Sequence, residues 1–306
     1  MAEKDGVYFR VPENLSKREK FARFLWNPAT REFLGRTGLS WLKITIFYII
    51  FYACLATFWT LMLVIFYQTL DYYEPTWKLQ SSRIGSNPGL GFRPLPPQDN
   101  IDSTLIWFKH GSSEGWTHWT TSLDEYLLPY KKGQFGEHVD TCYIEKDYDN
   151  ESKRVCHFAI EDIGNNCTQS RKYGYDVGHP CVLIKLNRIY GWKPEPYDKE
   201  DLPEDMPDHI RDDYDGRYVY ISCQGENPAD KENIGPLNYY PKNGKIPRYY
   251  FPFRNLEGYL SPFVFVHFEK PVPGVLINIE CKAWAKNIRH DRMERMGSVH
   301  FELLVD

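Results

Sequence analysis

Hydrophobic positions fall into two regimes along the chain. From residue 44 to residue 67 the run ITIFYIIFYACLATFWTLMLVIFY holds 24 residues without a charge, closed by Lys43 before it and Asp71 after it. As a helix rising about 1.5 Å per residue it extends roughly 36 Å. That is enough to cross a hydrocarbon core of about 30 Å with some tilt. A cleaved leader fits poorly, because the run is long, follows 43 residues and lacks an A-x-A site. A buried helix of a soluble protein is the other alternative, and an uninterrupted apolar stretch of this length argues against it.

Beyond the span the pattern becomes strand-like. Candidate strands lie at 105–108, 182–186, 218–223, 263–268, 275–284 and 298–305. The odd positions from Val275 to Cys281 are apolar, as are Val299, Phe301, Leu303 and Val305, the period-two signature of a half-buried strand. One helix is predicted, opened by a capping box of Ser122 and Glu125 before Tyr126-Leu127-Leu128 and shortened by Pro129. The aromatic and β-branched residues from Trp116 to Thr121 read as a poor helix start. Residues 71–104 carry Pro75, Pro88, Pro94, Pro96 and Pro97 with Gly85, Gly89 and Gly91, which predicts an extended stem. Short strands between turn-rich loops at 193–216 and 224–244 fit an antiparallel β-sandwich. The expected organisation is a tail at 1–43, a membrane helix at 44–67, a stem at 68–104 and a disulfide-bonded β-sandwich at 105–306.

Charge orients this arrangement. Residues 1–43 hold nine Lys/Arg and five acids, a net of +4, leaving −8 for the remainder of a chain whose total is −4. The positive-inside rule puts the N-terminus in the cytosol and the large domain outside, a type II single-pass topology. The mild acidity disfavours nucleic acid as a partner, and 42% hydrophobic with 16% aromatic residues excludes wholesale disorder.

Of seven cysteines, Cys54 falls in the span and six fall outside it: Cys142, Cys156, Cys167, Cys181, Cys223 and Cys281. An even set in an oxidising compartment implies three bridges. Six cysteines allow 15 connectivities, and separations of 14, 14 and 58 favour sequential pairing. A zinc site is the rival, weakened by the lack of any C-x-x-C. Sequons at Asn150-Glu151-Ser152 and Asn166-Cys167-Thr168 are expected to carry N-linked glycans, whereas Asn14-Leu15-Ser16 is cytosolic by this topology and expected to stay bare.

Candidate chemistry is sparse. Gly111-Ser112-Ser113-Glu114-Gly115 matches the G-x-S-x-G elbow, but that motif needs a helix behind it. Asp147-Tyr148-Asp149 and Asp213-Tyr214-Asp215 have the D-x-D form that holds a divalent metal in type II glycosyltransferases, without the βαβ half such an enzyme wants. Nine histidines show no ligand spacing, and no phosphate loop occurs. The chain is therefore expected to have no catalytic residues, no metal and no cofactor.

The span is more informative. Tyr52 lies eight residues in from Ile44, about 12 Å deep and near the midplane. Tyr48 shares its face at i, i+4, with Phe51 beside it. A phenol in hydrocarbon needs a partner, which points to a neighbouring membrane helix. The alternative is that Tyr48 snorkels and Tyr52 tolerates lipid. No charge in the span means no ion path along it.

Several motifs then come together. Phe24-Leu25-Trp26-Asn27, Glu32 to Gly38, Ser40-Trp41-Leu42-Lys43 and Phe47-Tyr48-x-x-Phe51-Tyr52 resemble the β subunit of the sodium/potassium-transporting ATPase, with the gastric proton/potassium pump β subunit a close relative. The likeness continues through Leu186 to Pro194, Cys223-Gln224-Gly225, Gly235-Pro236, Tyr239-Tyr240-Pro241, Glu280 to Trp284 and Asn287-Ile288. The resemblance implies a non-catalytic plasma-membrane partner of a pump's catalytic α subunit, which it contacts through Tyr48, Phe51 and Tyr52. It implies an Ig-like outer domain with three sequential disulfides that covers outer loops of the α subunit. It also implies support of α folding, surface delivery and potassium occlusion, with cell adhesion as a further role. Glycan placement and the Trp/Tyr-rich 105–130 stretch depart from vertebrate forms and suggest an invertebrate isoform.

Overall fold

The computed structural model describes residues 16–28, 30–100, 102–145, 154–160, 166–291, 293–294 and 296–306. It divides into two compact units, Met1–Leu70 and Asp71–Asp306. Asn14, Asn150 and the Asp147-Tyr148-Asp149 motif lie outside the described residues.

In the first unit, helix α1 (Lys17–Leu25) opens on a reciprocal capping box between Ser16 and Glu19, which satisfies two orphan N–H groups. Three two-residue strands follow, β1 (Trp26–Asn27), β2 (Glu32–Phe33) and β3 (Arg36–Thr37), paired antiparallel in chain order. Gly35, at φ 70°, makes the turn between β2 and β3, a conformation glycine adopts without a Cβ clash. Helix α2 (Gly38–Gln68) comes next, 31 residues with none buried. It is the one helix among the described residues long and apolar enough to cross a membrane. Trp41 in its first turn donates its indole N–H to the Phe33 carbonyl at 2.8 Å, and the two rings lie 6.2 Å apart. The juxtamembrane motif is thus a small meander fastened to the helix it precedes.

The second unit contains β4 (Leu90–Arg93), β5 (Leu105–Phe108), α3 (Ser113–Lys131), β6 (Val139–Asp140), β7 (Val155–Cys156), β8 (Cys181–Leu186), α4 (Asp208–Arg211), β9 (Tyr218–Gly225), α5 (Pro228–Asn233), β10 (Leu237–Tyr240), β11 (Lys245–Pro247), β12 (Phe263–Phe268), β13 (Ile277–Trp284) and β14 (Ser298–Val305). Two sheets carry it, in the orders β10-β12-β8-β4 and β11-β9-β13-β14-β5. All pairs within them are antiparallel except β14 with β5. The sheets meet through Phe92 stacked on Phe301 at 5.1 Å and Phe268 edge-on to Phe301 at 6.3 Å. Phe268 and Phe301 are fully buried, and each such ring contributes roughly 1.5–3 kcal/mol. The fold is the mainly-β sandwich behind one apolar helix that the sequence predicts.

Three local expectations change. The single outer-domain helix does not start at Ser122: α3 starts at Ser113 and runs through the aromatic stretch and Pro129. Its buried positions Trp119, Leu123, Leu127 and Tyr130 form one stripe, and burying that stripe on a sheet face outweighs the modest propensity cost of Trp and Thr. Pro129 lies inside the helix two residues before its end, where it withholds the N–H that would bond the Glu125 carbonyl. Second, part of the Pro/Gly-rich segment read as a stem forms β4, an edge strand in register with β8 from Leu90↔Leu186 to Arg93↔Leu183. Third, the 224–244 loop contains α5 and β10.

Candidate functional site

The aromatic face of α2 is built by helical spacing alone. Phe47 stacks over Phe51 at 6.2 Å and Tyr48 over Tyr52 at 6.0 Å, while edge contacts at 5.4 Å join Phe47 to Tyr48 and Phe51 to Tyr52. Two i, i+4 pairs side by side make a four-ring plate. Phe47, part of the juxtamembrane motif but not among the expected contact residues, belongs to it, at i−4 from Phe51. Tyr48 is 49% exposed, Phe51 48% and Tyr52 59%, like the rest of a helix with no buried residue. The hydroxyls of Tyr48 and Tyr52 have no partner among the described residues. By contrast, Thr57 and Thr60 donate to the Ala53 and Ala56 carbonyls of their own helix at 2.8 Å. A threonine can satisfy itself this way, but a phenol at the end of a rigid ring cannot reach its own backbone.

In the second unit the structure pairs Cys142 with Cys156, Cys167 with Cys181 and Cys223 with Cys281. Cys54 is free and exposed on α2. Cys223 and Cys281 are direct neighbours in the β9–β13 ladder, so this bridge lies within one sheet. Cys181 starts β8, and Cys156 ends β7. Each of the two shorter bridges closes a sequence separation of 14 residues between α3 and the start of β8.

Asn166 is half-buried. Its side-chain N–H donates to the Tyr240 hydroxyl at 2.7 Å, and its side-chain carbonyl accepts from Arg171 at 3.0 Å.

The other motifs resolve into structural roles. Asp213 accepts from Lys245 and Asn243, both at 2.7 Å, and hydrogen bonding to Lys245 holds its carboxyl below the usual range. Asp215 accepts a fork from Arg217 at 2.6 to 3.1 Å, which lowers its carboxyl in the same way. Carboxylates already engaged by cations are poorly placed to hold a metal. Among the described residues no group of three or more His, Cys, Asp or Glu could hold one. The elbow-like Ser113 does have a strand before it and a helix after it, contrary to the expectation of no helix. Yet the nearby histidines bond elsewhere, His110 to the Asp306 carbonyl at 2.8 Å and His118 to the Leu95 carbonyl at 3.2 Å. The Asp-His relay of a hydrolase is not assembled there.

A helix able to span a membrane, followed by a disulfide-bridged β-sandwich, defines a single-pass membrane subunit with one large folded domain. Known proteins sharpen this. Residues 12–301 match the family described as the sodium/potassium ATPase beta chain. The chain is 44% identical over 316 residues to the sodium/potassium-transporting ATPase subunit beta-2 of Drosophila melanogaster, covering 98% of this chain and 96% of that protein. It is 37% identical to subunit beta-1 of the same organism, covering 97% and 96%. It is 31% identical to subunit beta-2 of Homo sapiens, covering 94% of each. The chain belongs to the sodium/potassium ATPase beta chain family.

Proposed function

We propose that this chain is the accessory, non-catalytic β subunit of a sodium/potassium-exchanging P-type ATPase. It sits in the plasma membrane with its N-terminus in the cytosol and its β-sandwich outside. The α2 helix binds a membrane helix of the catalytic α subunit through Tyr48, Phe51 and Tyr52. The sandwich covers outer loops of that subunit, and the pair together supports α folding, surface delivery and potassium occlusion. N-linked glycans are carried by Asn150 and Asn166. Family membership supports this reading, but one observation carries it: Tyr52 near the midplane of an apolar helix and Tyr48 one turn nearer its cytosolic end are stacked, with no partner for either hydroxyl among the described residues. A partner helix that accepts or donates one hydrogen bond to each is worth about 1 kcal/mol per bond in a membrane, added to the packing of four rings.

The test is expression of a sodium/potassium-pump α subunit with and without this chain. Surface α protein and ouabain-inhibited ATP hydrolysis should both rise severalfold when it is present. Equal export and equal hydrolysis in its absence would reject the assignment.

A further inference from the structure

Helix α1 carries two chemistries on its surface. At about 100° per residue, Phe21, Phe24 and Leu25 share one stripe through their i, i+3 and i+4 spacing. Arg18 and Lys20 border that stripe on either side, and Lys17 stands one turn ahead of Phe21. Glu19 and Arg23 lie on the opposite side, one turn apart. No residue of α1 is buried, and Phe21 and Phe24 are 63% and 54% exposed. Lys17, Arg18 and Lys20 pair with no carboxylate among the described residues.

Two hydrogen bonds tie this helix to the apolar span within the first unit. The Leu34 N–H donates to the Leu25 carbonyl at 3.2 Å, which fastens the end of α1 to the meander. The Trp41 indole fastens the meander to α2 through the Phe33 carbonyl. Trp41 precedes Ile44, the first residue of the uncharged run, by three residues, or about 4.5 Å along the helix axis. A headgroup layer is roughly 5–7 Å thick, so Trp41 and the carbonyl it grips stand at headgroup depth. Apolar exposure continues across the meander, where Trp26 and Phe33 are exposed partners across β1 and β2. Charge is lopsided too: residues 16–43 hold seven Lys/Arg against Glu19 and Glu32.

An exposed apolar stripe bordered by unpaired cations, fastened beside a membrane span, fits a surface that is apolar below and anionic above. We propose that α1 is an interfacial anchor that binds the anionic headgroups of the bilayer crossed by α2. Phe21, Phe24 and Leu25 enter the acyl boundary. Arg18 and Lys20 run their apolar stems along that boundary and raise their charged ends to headgroup oxygens, and Lys17 does the same from the preceding turn. The proposal rests on the cytosolic N-terminus proposed above, because the cytosolic leaflet is the one that carries anionic lipid. It requires no contact with the α subunit.

The test uses the full chain in lipid nanodiscs with Cys54→Ser and the disulfides intact. A single nitroxide is then carried by Leu25→Cys on the stripe or by Arg23→Cys opposite it. In discs of phosphatidylcholine with one-third phosphatidylserine, collisions with a water-soluble nickel chelate should be about fivefold rarer at position 25 than at position 23. In phosphatidylcholine alone, or at 1 M salt where the screening length falls to about 3 Å, the contrast should shrink to about twofold or less. Arg18→Glu with Lys20→Glu should shrink it equally in the anionic discs, whereas Lys199→Glu with Lys231→Glu in the second unit should leave it unchanged. Both faces of a disc carry the same lipid and no α subunit is present, so failure here leaves the topology and the pump assignment standing, and their failure leaves this result standing. The proposal falls if positions 25 and 23 collide alike in anionic discs, or if the contrast is as large in phosphatidylcholine alone. It also falls if the contrast appears only once a pump α subunit is added, which assigns the stripe to a protein partner. Should Arg18→Glu with Lys20→Glu lose the helix, the lipid comparison decides alone.

Discussion

The hydroxyl of Tyr239 bridges both main-chain groups of Cys223, accepting from its N–H at 2.9 Å and donating to its carbonyl at 3.3 Å. Tyr239 belongs to β10 in one sheet and Cys223 to β9 in the other. On that side of β9 the partner strand β11 pairs only as far as Tyr220. The phenol therefore completes a ladder that has run out of strand, and it does so from the opposite sheet. On its other side Cys223 faces Cys281 with their Cα atoms 4.0 Å apart, the close spacing of a pair that exchanges no ladder hydrogen bonds.

This clasp makes alkaline stability a test. Burial pushes the Tyr239 phenol up to about 12, partly offset by its bond to Cys223. The unfolded phenol ionises near pH 10, so the native state alone keeps its proton between pH 10 and 12. Stability is full below pH 10 and falls as pH rises through that window. Tyr197, Tyr220 and Tyr259 are likewise raised to about 12, each first by burial. The second unit should lose several degrees of melting temperature from pH 9.5 to 11.5. Tyr239→Phe should melt lower at pH 8, by about 1–3 kcal/mol for the two orphaned main-chain groups, and show a shallower alkaline fall. A calorimetric pH series reads both, and parallel curves for variant and wild type would refute the assignment.

Acid should act through histidines. Burial lowers His209, His267 and His290 below the ordinary imidazole value. Their neutral-state contribution is complete above about pH 6.5 and is lost as pH falls and the unfolded chain takes up protons first. His290 bonds the Ala283 carbonyl at 2.8 Å and packs edge-on to Trp284 at 4.9 Å. His290→Gln should lower the melting temperature at pH 7.5 yet reduce the drop between pH 7.5 and 5.5. An unchanged drop would show that other groups govern the acid limb.

Removing the cross-strand bridge with Cys223→Ser and Cys281→Ser should cost about 4 kcal/mol by the loop-entropy relation for a separation of 58 residues. That corresponds to roughly 8–16 °C in a domain of this size. Because β9 and β13 stay paired over six residue positions, the variant should melt earlier but still show β-sheet circular dichroism at 15 °C. Loss of that signal would mean that the bridge, rather than the ladder, organises the sheet.

The ring plate on α2 predicts a positional effect. Tyr52→Ala should reduce co-purification of α subunit in mild detergent severalfold, whereas Leu63→Ala, on the same helix but outside the plate, should leave it close to wild type. Tyr52→Phe separates ring from hydroxyl, and an intermediate loss is expected. Equal recovery of α subunit by Tyr52→Ala and Leu63→Ala would place the contact elsewhere on the helix.

At Gly174 the backbone itself sets a limit. Its φ is 76°, and a Cβ there would lie 1.9 Å from the His179 carbonyl oxygen, whose residue donates its N–H back to Gly174 at 2.9 Å. Gly174→Ala should therefore destabilise the second unit by more than the ~1 kcal/mol of a left-handed residue alone. Chemical denaturation checks it against Gly85→Ala, where φ is also positive but the space is open.

Local pattern by itself determined much of this protein. Twenty-four uncharged residues specify a helix for a membrane because nothing else satisfies that much apolar backbone. Period-two alternation at 275–281 and 299–305 specifies strands, since only one face of each can be buried. The positions 48, 51 and 52 share a helix face by geometry alone. Tertiary contact decided what those signals could not carry. The stretch from Trp116 to Thr121 became helix because Trp119, Leu123, Leu127 and Tyr130 are buried together, a benefit that appears only once a sheet is there to receive them. Leu90–Arg93 became an edge strand, despite the prolines around it, because β8 offered an open row of N–H and C=O groups. Tyr239 looked like an ordinary aromatic in sequence. Its role depends on which main-chain group stands opposite, and that is fixed only when β9 and β10 are brought together and its hydroxyl comes within 2.9 Å of the Cys223 nitrogen.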